Sequence, residues 1–116
     1  MSYVTGFLTP VKAADKQRYV DSAVKAWPMF QKYGATGHVE NWGADVPDGK
    51  FTSFPMAVKL EEGEVVVFSW LTWPDRATAD AAWAAMESDP AMADMDMPFD
   101  GKRMIFGGFT NLFVVE

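Results

Sequence analysis

Apolar positions change their period several times along the chain, and each change marks an element. Tyr3 to Val11 is β-branched and aromatic, carries Gly6 within it and meets Pro10 near its end, which predicts a strand whose last residues lie at an edge. From Asp15 the period lengthens. Val20, Ala23, Val24, Trp27 and Phe30 recur at helical spacing with Lys and Asp between them, and Gly34 supplies a C-terminal cap. Pro28 removes a backbone donor and crowds the carbonyl of Val24, so a kink is expected near Trp27. Period two returns over Thr36 to Asp45, with His38, Glu40 and Trp42 on one side and Gly37, Val39, Asn41 and Gly43 on the other. Pro47-Asp48-Gly49-Lys50 is turn chemistry, whereas Phe51 to Leu60 fits a loop, a single helical turn or the first arm of a hairpin.

Val65 to Trp73 is the plainest strand. Asp75 is placed to cap a second helix with Ala79, Ala82, Trp83 and Met86 as its apolar stripe, and Pro90 opens a short extra helix ending near Met95. After the turn at Pro98-Phe99-Asp100-Gly101, Lys102 to Val115 forms the last strand, broken or bulged at Gly107-Gly108. Strand, helix, strand, strand, helix, strand gives an α+β class and a ferredoxin-like βαββαβ sandwich, a four-stranded antiparallel sheet with both helices on one face. In the Val65 to Trp73 strand, one side carries Val65, Val67, Leu71 and Trp73 and the other Val66, Phe68 and Trp70, so neither is polar. Two helices cover only one side. The uncovered apolar face predicts a homodimer joined through its sheets.

Composition narrows the classes. With 116 residues, 49% of them hydrophobic, the chain suits one domain over 1–116 with one core. The absence of cysteine excludes disulfides, thiolate nucleophiles and sulfur-bound zinc. Neither a signal peptide nor a membrane span is visible, and a soluble cytoplasmic protein is the expectation. Net charge is −6 with ten scattered Lys and Arg, the opposite of the basic face that displaces counterions from phosphate, so nucleic acid is disfavoured as a partner.

Several blocks carry a family likeness. Trp42 to Lys50, Val66-Val67-Phe68-Ser69-Trp70, Trp73-Pro74 and above all Met97 to Phe109, reading MPFDGKRMIFGGF, resemble the YbaA-like proteins, small bacterial proteins grouped as a domain of unknown function. The resemblance spans nearly the whole chain and implies the dimeric α/β-barrel superfamily, in which two ferredoxin-like sheets close face to face. No cofactor is expected. Ala44, Ser53 and Phe106 depart from the acidic residue, Asp and Tyr of that pattern.

The candidate chemistry centres on His38, the only histidine, which shares a strand face with Glu40 and Trp42. Alternate residues on a strand lie roughly 7 Å apart, near enough for Glu40 to orient the imidazole as a proton-transfer pair. A solvated strand edge is the plainer reading. Tyr3, Trp42, Trp70, Trp73 and Arg103 are candidates to line a ligand cleft, with Arg103 receiving a carboxylate through two hydrogen bonds; core packing and an ordinary ion pair are their plainer readings. Asp94, Asp96 and Asp100 bring carboxylates together without calcium-loop spacing, and no metal site is expected. The Met-rich stretch from Met86 to Met104 suits either core filling or a flat apolar ligand. Haem-degrading barrel relatives use His, Trp and Asn, residue types this chain also has near residue 40, but matching types is not matching geometry. Two function classes stand level: a protein that binds or converts a small molecule near His38, and a non-catalytic dimeric binding or structural module. RNA binding, suggested by a label some relatives carry, ranks last.

Overall fold

A computed structural model describes residues 2–116. The first strand, β1 (Tyr3–Lys12), leads through a short 3-10 turn into α1 (Lys16–Lys32), followed by β2 (Gly37–Trp42), the single turn α2 (Phe54–Ala57), β3 (Glu64–Trp73), α3 (Arg76–Glu87), the single turn α4 (Pro90–Ala93) and β4 (Ile105–Thr110). The strands form one antiparallel sheet in the order β2-β3-β1-β4. This is the ferredoxin-like arrangement, and α1 and α3 lie together on one face. No helix among the described residues is long and apolar enough to cross a membrane.

Local chemistry explains the boundaries. Gly34 sits at φ +109°, and α1 ends in a pair of crossed bonds, Ala35 N–H to the Phe30 carbonyl at 3.0 Å and Gly34 N–H to the Gln31 carbonyl at 3.1 Å. That pattern needs a left-handed residue, which glycine adopts without Cβ strain. Asp75 caps α3 by accepting from the Thr78 N–H at 2.7 Å, and Ser53 and Asp89 cap α2 and α4 in the same way. Pro28 lies inside α1, which continues for one more turn.

The pairing registers decide which side chains share a face. Thr5, Thr9 and Val11 of β1, Val67, Ser69, Leu71 and Trp73 of β3, and His38, Glu40 and Trp42 of β2 all point toward the helices. Under α1 and α3, Leu71 and Trp73 join Met29, Ala79, Ala82 and Met86 in the main core, and the Trp73 indole N–H donates to the Thr5 hydroxyl at 3.0 Å. Burying Leu71, Met29 or Met86 contributes about 1.5–3 kcal/mol each.

The far face carries Val4, Leu8, Val39, Phe68, Trp70, Ile105 and Phe109. One end of it is roofed by the chain itself, since Val66, Pro10 and Val58 are buried there and Phe54 lies 6.0 Å from Phe68. The rest is more open, with Ile105 at 43% and Phe109 at 61% exposure.

Three expectations are corrected. Of the expected α1 stripe, Ala23, Trp27 and Phe30 face inward together with Tyr19, Ala26 and Met29, whereas Val20 and Val24 face solvent. β2 stops at Trp42 and β4 spans only Ile105–Thr110, because Asp100 turns the chain at Lys102–Arg103 and the pairing with β1 ends at Tyr3 opposite Thr110. β4 is not broken at Gly107-Gly108, where the register with β1 is continuous. The glycine at 108 instead admits the Tyr3 ring, whose hydroxyl a Cβ there would overlap.

Candidate functional site

A cavity of about 270 Å³ lies between α1 and the sheet. It exists because α1 turns Ser22, Ala23 and Ala26 toward the strands where longer side chains would fill the gap. Phe7, Phe30, Leu71 and Trp83 supply apolar walls, and Met92, Met95, Met97 and Phe99 from the segment after α3 close one side. That segment is tied down by Arg18 of α1, whose Nε–H donates to Asp96 at 2.7 Å and holds its carboxyl below the usual range.

One wall is polar. His38 Nε2 and Glu40 Oε2 are 2.6 Å apart, and Glu40 Oε1 accepts from the Tyr19 hydroxyl at 2.6 Å. Glu40 lies opposite Ser69 in the strand register, which places the buried Ser69 hydroxyl beside the same group. The His38 ring is flanked by α1, with Phe30 edge-on at 5.5 Å and Trp27 at 6.1 Å, and its side chain is only 12% exposed against 28% for Glu40. Burial raises the Tyr19 hydroxyl well above its ordinary range, and the Glu40 charge and hydrogen bond push the same way, while Ser69 opposes them weakly. Tyr19 is therefore a neutral donor, fixed on Glu40. Glu40 thus bridges the Tyr19 hydroxyl and His38 Nε2, and His38 Nδ1 makes no hydrogen bond to another described residue.

Of the other candidate residues, Trp70 also borders this cavity, while the rest lie elsewhere. Trp42 packs beside the smaller core cluster of Val11, Tyr19 and Val67, with the Lys16 ammonium 5.2 Å above its ring. The Trp70 ring is turned to the far face, 5.3 Å from that of Phe68. Tyr3 lines a second cavity of about 290 Å³ with Asp80, Trp83, Phe106 and Gly108. Trp73 is core.

Arg103 spends its guanidinium within the chain. It is paired twice with Glu64 at 2.7 Å and also donates to Asp100 at 2.9 Å and the Lys59 carbonyl at 3.1 Å. The Arg103 contact lowers the Glu64 carboxyl below its usual value. Asp94, Asp96 and Asp100 are not gathered, since Asp96 faces Arg18 and Asp100 faces Arg103. No cluster of three potential metal ligands occurs among the described residues.

Sequence reasoning missed Tyr19, Trp27 and Phe30 as neighbours of His38. The signal was present in the spacing of Tyr19, Ala23, Ala26 and Phe30, which recur by four, three and four on one helix face.

Residues 2–101 match a family described as "Protein of unknown function (DUF1428)". The Escherichia coli (strain K12) protein named "Uncharacterized protein YbaA" is 53% identical over 114 residues, covering 97% of each chain, and the Shigella flexneri protein of the same name is equally similar. Among solved structures, a dimeric ferredoxin-like protein from an uncultured marine organism aligns with 100% of this chain and 99% of its own, at TM-score 0.54 and 17% identity, a likeness that shows the fold.

Proposed function

We propose, on the premise that this chain belongs to the DUF1428 family of proteins of unknown function, that it is a homodimeric small-molecule-binding protein with one ligand chamber per protomer. The observation that carries this reading is the cavity under α1 with the Tyr19–Glu40–His38 chain on one wall. Its volume of about 270 Å³ is close to the roughly 300 Å³ at which ligand pockets begin, and it combines apolar walls with a few fixed polar groups as such pockets do. A compact aromatic molecule with one acidic hydroxyl or carboxylic acid fits this chemistry. Its ring meets Phe7, Phe30 and the methionines, and its proton meets His38 Nδ1. Glu40 steadies the imidazolium that forms if the proton transfers, so conversion of a ligand by proton abstraction would use the same atoms.

The dimer joins the open sheet faces. It is supported by the exposed Val39, Phe68, Ile105 and Phe109 and by the relative of like fold that is described as dimeric. Light scattering on the purified protein at micromolar concentration should give twice the chain mass, and a monomer there would discard the dimer.

For the chamber, ligand-observed NMR with small phenols and benzoic acids should show binding to the wild-type protein that is lost in His38→Ala and in Ala23→Leu, which fills the cavity. Equal binding by all three proteins, or no binding by any, removes the reading.

A further inference from the structure

Beyond β4 the chain does something the sandwich does not require. Pairing ends at Thr110, the Asn111 N–H donates to the Ser2 carbonyl at 3.2 Å, and Leu112, Phe113, Val114 and Val115 then leave the fold with exposures between 56% and 94%. Four consecutive apolar side chains are thus exposed on both sides of the segment, the pattern of a strand meant to be covered on both faces. They follow Phe109, which is on the open sheet face, after only Thr110 and Asn111.

The open face is small for the task assigned to it. Four strands about 4.8 Å apart, overlapping for about six residues of 3.3 Å, present a projected area near 380 Å². One end of that area is already roofed by the α2 turn. A stable interface takes about 800 Å² of accessible surface from each partner, a measure that follows side-chain contours and so exceeds projected area. The face and the tail are contiguous in sequence and both are apolar, and the tail adds accessible area to a face that the α2 roof has shortened.

We propose that Leu112–Val115 crosses to a second copy of this chain and lies against its body, so that the two tails clasp the dimer reciprocally. This rests on the homodimer reading above. Two-fold symmetry makes the contact self-complementary, because each tail leaves its own sheet and lies against its partner's body. Phe113, large and almost fully exposed within one protomer, is the anchor residue.

The test compares the full chain with a chain ending at Asn111 and with full-length Phe113→Ser, using sedimentation velocity across a dilution series. Both variants should keep their circular dichroism and weaken dimerisation at least about tenfold, the change expected from removing one anchor. In parallel, p-benzoylphenylalanine at position 113, in a mixture of ¹⁴N- and ¹⁵N-labelled protein, should crosslink on irradiation into mixed-isotope dimers. Variants that dimerise as tightly as the full chain, or crosslinks confined to single chains, overturn the clasp and leave the dimer standing. A full chain that is monomeric at every concentration overturns the dimer and the clasp together.

Discussion

Removing one oxygen atom from Tyr19 tests whether the polar wall of the chamber is a real unit. Tyr19→Phe keeps the ring, including its edge-on contact with Phe99 at 6.2 Å, and deletes only the hydroxyl that donates to Glu40 at 2.6 Å. A hydrogen bond to a charged group contributes about 1.5–3 kcal/mol. The Glu40 side chain, 28% exposed, retains some water, which places the loss at the lower end, about 1.5 kcal/mol. With a urea slope of about 1.5 kcal/mol per molar, the unfolding midpoint should fall by about 1 M. The comparison is made at one protein concentration, because association adds to apparent stability. Glu40→Gln should cost less in the Tyr19→Phe background than in the wild type, by about 1 kcal/mol, since the two groups share one bond.

Alkaline pH supplies an independent reading. In the folded protein the Tyr19 pKa is raised, so above about pH 10 the unfolded chain releases this proton more readily than the folded one, and the wild type loses stability that the Phe variant does not. The gap between the two proteins must therefore narrow as pH rises past 10. A midpoint shift under about 0.2 M at neutral pH, or a gap that stays constant into alkali, would show that the hydroxyl is not engaged as described.

Three further outcomes follow from the packing and the charges. Leu71→Ala, in the centre of the sheet with 1% exposure, should lower stability by about 2–5 kcal/mol in urea titration. Gly34→Ala places a Cβ 2.6 Å from the Thr78 methyl at φ +109°, and differential scanning calorimetry should show a loss of at least about 1–2 kcal/mol, whereas a neutral result would mean that the α1 ending is not as drawn. Glu64, Asp75, Asp89, Asp96 and Asp100 all have carboxyl pKa values lowered by their partners, so the stability they supply is complete above the unfolded values near pH 4 and is lost as pH falls through the folded ones. Circular dichroism during acid titration should show that loss, and Arg18→Ala should remove the part carried by Asp96.

The element order was legible because each element announces its own period. The alternation over β2, the apolar run of β3 and the Asp75 and Pro90 starts all lie where the sequence places them. What failed were ends and faces. Val20 and Val24 look as apolar as Ala26 and Met29, and only docking on the sheet decides which pair turns inward. Residues 111–115 read as strand by propensity, yet no strand among the described residues pairs with them beyond Asn111.

At the site, His38 and Glu40 were visible as a pair two residues apart on one strand. Tyr19 was not, because it comes from an element 21 residues away whose rotation the sequence leaves open. Arg103 looked available to a ligand for the same reason. The partner that occupies it, Glu64, is 39 residues distant in sequence.

The alanines of α1 set a limit on how this fold can diversify. Since Ala23 and Ala26 already present a single methyl group to the void, point substitution there can only shrink it, and glycine would weaken the helix by about 1 kcal/mol for little extra room. On this wall a bulkier guest requires displacing α1 itself, whose far end is fastened by the left-handed Gly34, so enlargement falls instead to the aromatic and methionine walls. Size selection at the helix wall therefore runs easily in one direction and against the backbone in the other.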